Sequence, residues 1–268
     1  MLPSACLLIV LIPLCECFSK KEIKSNKHFE SKIVGGTHVT RDRFPSAVQF
    51  FNAGNLCAGS ILNSYSVLTA AHCFDVNTEM NDMVVQVAGA RFLYDRQARV
   101  HDVLSFVIHE DYNKATLFAC DIALLFLSSP IKFGNKTKKA VLVNNGKWMN
   151  TAERHFKATG WGQVEYGGPV SEKGLMMTNL RFVPSKRCSR LHKVNMTADM
   201  FCLYGEGVTD TCKGDSGGGI LWNDLVVGVT SHGDGCAKKD KPSVYSNVWY
   251  FRNWIQKNIK LFVKTFCE

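Results

Sequence analysis

A histidine, an aspartate and a serine stand in the order His72, Asp121, Ser216, each inside a short string that suits one catalytic role. His72 lies in TAAHC, directly after the strand-like SVLTA. Asp121 opens DIALL, and Ser216 sits in KGDSGGG. A serine hydroxyl is a poor nucleophile at neutral pH. It needs a base to take its proton, and the base needs an anion to hold its tautomer and stabilise its cation. Gly214 and Gly217–Gly219 on either side of Asp215 and Ser216 let the backbone turn tightly and aim its N–H groups inward. An aspartate at the head of the unbroken apolar run IALLFL is costly to bury unless hydrogen bonds pair it, and orienting an imidazolium supplies that pairing.

The elements expected to position these residues are mostly strands. From Ile33 onward the chain shows short runs rich in Val, Ile, Phe and Thr, separated by Gly, Asn and Asp. The runs are 47–51, 60–62, 66–68, 84–87, 100–108, 122–127, 180–183, 218–221 and 225–229. Helical pattern is sparse. A short helix is expected over 185–193. The clearest is over 248–259, where Val248, Phe251, Ile255 and Ile259 have helical spacing and Asn247 can cap the start. Many short strands with one terminal helix point to barrels or a sandwich. The turn-forming Asn144-Asn145-Gly146-Lys147 is the expected crossing between two halves.

The ends and the composition set the setting. Residues 6–14 are almost purely apolar and too short to span a bilayer, as in a secretion signal cut after Cys17. A polar, Lys-rich leader follows over 18–32, and at Ile33 the character changes to IVGG. The 268 residues are 46% hydrophobic and 21% charged, enough for a substantial core in one domain or two packed halves. Of eleven cysteines, Cys6, Cys15 and Cys17 fall in the signal, leaving eight, an even set that implies four bridges in a secreted protein. No paired CxxC clusters occur, so no metal is expected. Residues 1–32 hold five of the 32 Lys/Arg and three of the 23 Asp/Glu, so the rest carries +7. That charge favours anionic surfaces or glycans. No basic run interleaved with aromatics suggests nucleic acid, and no further run reaches the roughly 18 apolar residues of a membrane span.

From Ile33 to about Gln256 these strings resemble the trypsin-like serine proteases of the chymotrypsin family, made as secreted zymogens. The resemblance implies an all-β fold of two antiparallel six-stranded Greek-key β-barrels with a C-terminal α-helix and the active site in the cleft between barrels. It implies a signal peptide at 1–17, an activation propeptide at 18–32 and a protease domain at 33–268. His72 is then the base, Asp121 its orienter and Ser216 the nucleophile. The oxyanion hole falls to the backbone N–H groups of Gly214 and Ser216. Cleavage after Lys32 by a trypsin-like activator would free the amino group of Ile33 to pair with Asp215. Asp210 lies at the base of the primary pocket and implies cleavage after Arg or Lys. Thr211, Ser231, Gly233 and Ser243 complete the substrate site.

The resemblance also implies bridges Cys57–Cys73, Cys188–Cys202 and Cys212–Cys236. Cys120 and Cys267 are left over, and a fourth bridge between them is expected. No cofactor is implied. The implied partners are protein or peptide substrates, the activator and protein inhibitors of serine proteases, for a monomer. Several residues depart from the pattern. Ser243 replaces a Gly on the pocket wall, His232 replaces a Trp of the substrate channel, and Gly219 stands where Pro is usual. Phe156 and Trp222 replace a bridged pair of cysteines. Ala90 replaces an acid of the calcium loop, so calcium is not expected. The alternatives are a restricted or altered pocket, because of Ser243, and a non-catalytic homologue acting as a binding protein. Asn135-Lys-Thr137 and Asn195-Met-Thr197 are acceptor sequences for glycosylation.

Overall fold

The computed structural model describes residues 33–89, 95, 98–150, 155–171 and 174–266. The expected signal peptide, the propeptide with Lys32, Ala90 and Cys267 lie outside the described residues. The strands in chain order are β1 Thr37–His38, β2 Ala47–Asn52, β3 Asn55–Ile61, β4 Ser66–Thr69, β5 Met83–Val87, β6 Arg99–Ile108 and β7 Ala123–Leu127. They continue as β8 Val141–Leu142, β9 His155–Gly160, β10 Met176–Val183, β11 Met200–Tyr204, β12 Gly219–Trp222, β13 Leu225–His232 and β14 Ser243–Asn247. The α-helices are α1 Ser185–His192 and α2 Val248–Phe266.

Two rings result. The first closes in the order β2-β3-β4-β7-β6-β5 and the second in the order β9-β10-β11-β14-β13-β12, completed by pairing of β9 with β10. The two orders are the same Greek-key order, shifted by seven strands. Both are antiparallel six-stranded barrels, as expected. β1 and β8 attach to the outside of the second.

Burial along the strands follows from closure. Side chains alternate between barrel interior and exterior, so β5 reads buried, half-buried, buried. β7 is buried at every position because its outer face is covered too. Phe126 on that strand stacks on Phe262 of α2 with ring centroids 4.2 Å apart. In the second barrel an aromatic cluster fills the core. Trp148 lies 4.7 Å from Phe201 and 5.8 Å from Phe156, ring to ring. Phe156, one of the two aromatics at an absent bridge, is fully buried there.

Two expectations change. The crossing between halves lies before residue 141, not at 144–147, because Val141 and Leu142 already pair with Leu225 and Val226 of the second barrel. α2 runs seven residues beyond Ile259, since Phe262 finds the Phe126 ring to pack on. Asn247 does cap α2, accepting from Trp249 N at 3.1 Å. Bridges 57–73, 188–202 and 212–236 form with Cα separations of 6.4, 6.4 and 5.3 Å. Cys120 forms no bridge among the described residues, and Cys267, its expected partner, lies outside them. Residues 261–266, expected to fold back as a tail, are the last turns of α2.

Candidate active site

His72 stands on a 3-10 turn, Ala71–Phe74, directly after β4. The Cys57–Cys73 bridge pins this turn to β3. Asp121 sits just before β7. Cys120, its neighbour, has a φ of +53°, a left-handed conformation that costs a non-glycine residue about 1 kcal/mol or more. Ile122 N donates to Cys120 O across this turn at 2.8 Å, and Ser246 Oγ donates to Asp121 O at 2.6 Å. The strained turn aims the Asp121 carboxylate inward, where it is fully buried.

That carboxylate collects the site. Its Oδ2 lies 2.8 Å from His72 Nδ1 and its Oδ1 accepts from His72 N at 2.9 Å. An ionised carboxylate only accepts, so Nδ1 carries the proton and, in the neutral ring, Nε2 is left with a free lone pair. Ser231 Oγ donates to the same Oδ2. The β13–β14 ladder skips at Ser231, since Thr230 pairs with Tyr245 and His232 with Val244. The bulge turns the Ser231 side chain toward Asp121. Burial works to raise the Asp121 pKa, but His72 and the Ser231 hydrogen bond outweigh it and hold the carboxyl below its ordinary value. Burial works to lower the His72 pKa, but Asp121 and Asp75 outweigh it and hold the imidazole above its ordinary value.

Ser216 approaches from the second barrel. Its carbonyl accepts from Ala58 N at 2.7 Å, which ties the loop to β3 of the first barrel. A Cβ on Gly217 would overlap Thr69 Oγ1 and the Ala58 carbonyl, so only glycine permits that approach. Ser216 Oγ makes no hydrogen bond to the His72 ring, a looseness common in sites without substrate. Gly214, at φ +96°, and Ser216 donate neither backbone N–H to any acceptor among the described residues.

Beside Ser216 lies a pocket of about 290 Å³ whose wall includes Thr211, Ser231, Gly233, Gly235 and Ser243. Asp210 is not on that wall. It is buried behind Ser243, whose Oγ lies 2.8 and 2.9 Å from its two carboxylate oxygens. Thr211 N and Ala237 N each donate to Asp210 at 2.9 Å. Burial outweighs these donors and pushes the Asp210 pKa up to about 6. Asp215 is fully buried between Gly160 and Gly162, accepting from Gly162 N at 2.8 Å and Cys212 N at 2.9 Å. No cation pairs with it among the described residues, and burial pushes its pKa up to about 7. Ile33 is fully buried, and Val34 O accepts from Asp210 N at 3.1 Å.

His232 has a part that its sequence position did not reveal. Its Nδ1 lies 3.0 Å from Ser231 Oγ. The Ser231 hydroxyl has one proton and gives it to Asp121, so His232 Nδ1 must be the donor in that contact. Burial pushes the His232 pKa down to about 4, so the ring is neutral. Phe118 stacks on it at 4.4 Å and meets the His72 ring edge-on at 5.8 Å. Nothing in the sequence marked Phe118; it reaches the site through a left-handed φ of +60°. His232→Phe removes the donor to Ser231. It is expected to lower kcat about fivefold, the worth of one hydrogen bond, with Asn at this position restoring part of the loss. Steady-state kinetics on one peptide substrate reads this, and an unchanged kcat contradicts it.

The family model described as Trypsin matches residues 33–255. Cationic trypsin-3 of Rattus norvegicus is 31% identical, covering 86% of this chain and 90% of the relative. Trypsin of Sus scrofa is 29% identical over 86% and 96%. Hypodermin-B of Hypoderma lineatum is 32% identical over 87% and 90%. With two barrels, their cleft and the buried His–Asp contact in hand, the chain belongs to the trypsin family of serine proteases and is a serine endopeptidase.

Proposed function

We propose that this endopeptidase is a secreted zymogen that cleaves peptide bonds after basic residues through His72, Asp121 and Ser216. The observation that carries the reading is the fully buried Asp121 carboxylate, which accepts His72 Nδ1–H at 2.8 Å and leaves Nε2 as the base. In the reaction Ser216 Oγ attacks the scissile carbonyl carbon while His72 Nε2 takes its proton. The oxyanion accepts from the N–H groups of Gly214 and Ser216, donors worth roughly 3–4 kcal/mol in the transition state. His72 then protonates the leaving amine, and water repeats the sequence on the acyl-enzyme. Activity is expected to fall as pH drops through the His72 pKa, which lies above 6.5. A kcat/KM profile whose acid limb lies well below 6.5 contradicts this.

Activation follows from Asp215. While the Lys32–Ile33 bond is intact, no ammonium is available to this buried carboxylate. Cleavage after Lys32 creates one at Ile33. An active-site phosphonate should label Ser216 after that cleavage and not before.

In the primary pocket the Ser243 hydroxyl donates to Asp210 and keeps its lone pairs for a substrate cation. Lys or Arg is thus recognised through Ser243, in a pocket shorter than one floored by glycine. This also favours the second reading, slower or altered cleavage. Ser243→Gly is expected to raise kcat/KM for basic substrates about tenfold, and Arg more than Lys, because Arg is longer. Asp210→Ser should lower it greatly. A parent enzyme that prefers Phe or Leu in a peptide library overturns the reading. Thr211, Ser231 and Gly233 complete the substrate wall.

Protein and peptide substrates, a trypsin-like activator and protein inhibitors are the partners this reading implies. Among the described residues no helix is long and apolar enough to cross a membrane. The exposed Asn135 and Asn195 are proposed glycosylation sites. A mass shift on glycosidase treatment of the secreted protein tests them.

A further inference from the structure

We propose that the exposed face of α2 is a docking surface for a sulfated polysaccharide. Lys257, Lys260 and Lys264 follow i, i+3, i+7 spacing. At 100° and 1.5 Å per residue they fall within an arc of roughly 60° along about 10 Å of helix. All three are exposed, and none forms an ion pair among the described residues. The 19 residues of α2 contain no Asp or Glu. The nearby acid that senses Lys257 is Glu110, and its carboxylate is occupied by Trp254 Nε1 at 2.7 Å. Asn253, Gln256 and the exposed Leu261 lie on the same face, the first two adding amide donors.

The chemistry of the partner follows from which face is free. The core-facing stripe of α2 is covered: Phe251, Ile255 and Phe262 are buried, and Phe262 stacks on Phe126, while Trp249, Tyr250, Leu261, Val263 and Phe266 stay exposed. A helix that binds a bilayer must offer a continuous apolar face, and here the exposed apolar side chains are interrupted by Lys257, Lys260, Lys264, Asn253 and Gln256. No aromatic ring lies between the three lysines to stack a nucleic-acid base. A row of closely spaced point cations fits a linear chain of sulfates, each lysine acting as a point charge. No α2 residue lines the pocket beside Ser216, so a bound polyanion leaves the cleft open. The surface tethers the enzyme without gating its chemistry.

Binding of size-defined heparin to the full, activated enzyme, measured by titration calorimetry against salt, tests this. The triple variant Lys257→Gln, Lys260→Gln, Lys264→Gln is expected to bind about tenfold more weakly, with hydrolysis of a small peptide amide unchanged. The variant Lys132→Gln, Lys138→Gln, Lys139→Gln removes the same charge elsewhere and is expected to bind as the parent does. Equal loss in both variants assigns the affinity to diffuse charge and overturns the proposal. So does tighter binding of phosphatidylserine vesicles or of a single-stranded oligonucleotide than of heparin, or no heparin binding by the parent.

Discussion

Ser216→Ala is expected to lower kcat for peptide hydrolysis by about 10⁶-fold, with KM and the melting temperature nearly unchanged. The three groups of a Ser-His-Asp triad act as one unit, so removing the nucleophile costs as much as removing all of them. The His72–Asp121 contact and the Ser231 hydrogen bond do not involve Ser216 Oγ and should survive in the variant. What remains is the proposed oxyanion donors and the pocket, which together are expected still to accelerate hydrolysis over water by about 10³–10⁴. The measurement is single-turnover kinetics on an activated amide. Loss of less than about 10³ would show that another group attacks the carbonyl.

Lys32→Gln is expected to leave the protein uncut by trypsin and about 10²–10⁴-fold less active than the processed enzyme. The magnitude comes from Asp215. A buried ion pair missing one partner costs about 3–5 kcal/mol, and here the missing partner is the cation. Asp215 rests on two backbone N–H donors alone, and burial lifts its pKa to about 7. The neighbouring N–H groups of Gly214 and Ser216 are the proposed oxyanion donors, so an unsettled Asp215 disturbs the hole directly. Lys32→Arg should be processed and fully active. Full activity of Lys32→Gln with the 32–33 bond intact by N-terminal sequencing would overturn the switch.

The candidate site of this chain was legible where it is written locally. TAAHC, DIALL and KGDSGGG each carry one proposed role in a few consecutive residues, and the barrel strands β2, β4, β5, β6 and β7 announce themselves by β-branched and aromatic runs. β9, β11 and β14 escaped notice for physical reasons. β9, HFKATG, carries a lysine and ends in glycine, which weaken a strand signal. β14, SVYSN, reads as a polar loop, yet all five residues are buried. Its polar groups are satisfied far away: Ser243 on Asp210, Ser246 on the carbonyl of Asp121, Asn247 on the carbonyl of Ala198. A buried polar residue is stable only when such a partner exists, and pairwise closure across the chain is invisible to local pattern.

The same reason divides the site. The residue types at positions 72, 121 and 216 follow from the strings around them. The covering of Asp210 by Ser243, and the contacts His232–Ser231–Asp121 behind His72, required the closed barrels. Ser231 and Asp121 are 110 residues apart, and a bulge in β13 turns one toward the other. α2 extends past residue 259 because Phe126, 136 positions before Phe262, covers its last turns. Short-range spacing specifies which groups a backbone can present; only the packing of distant segments decides which of those groups meet and which charges are left without a partner.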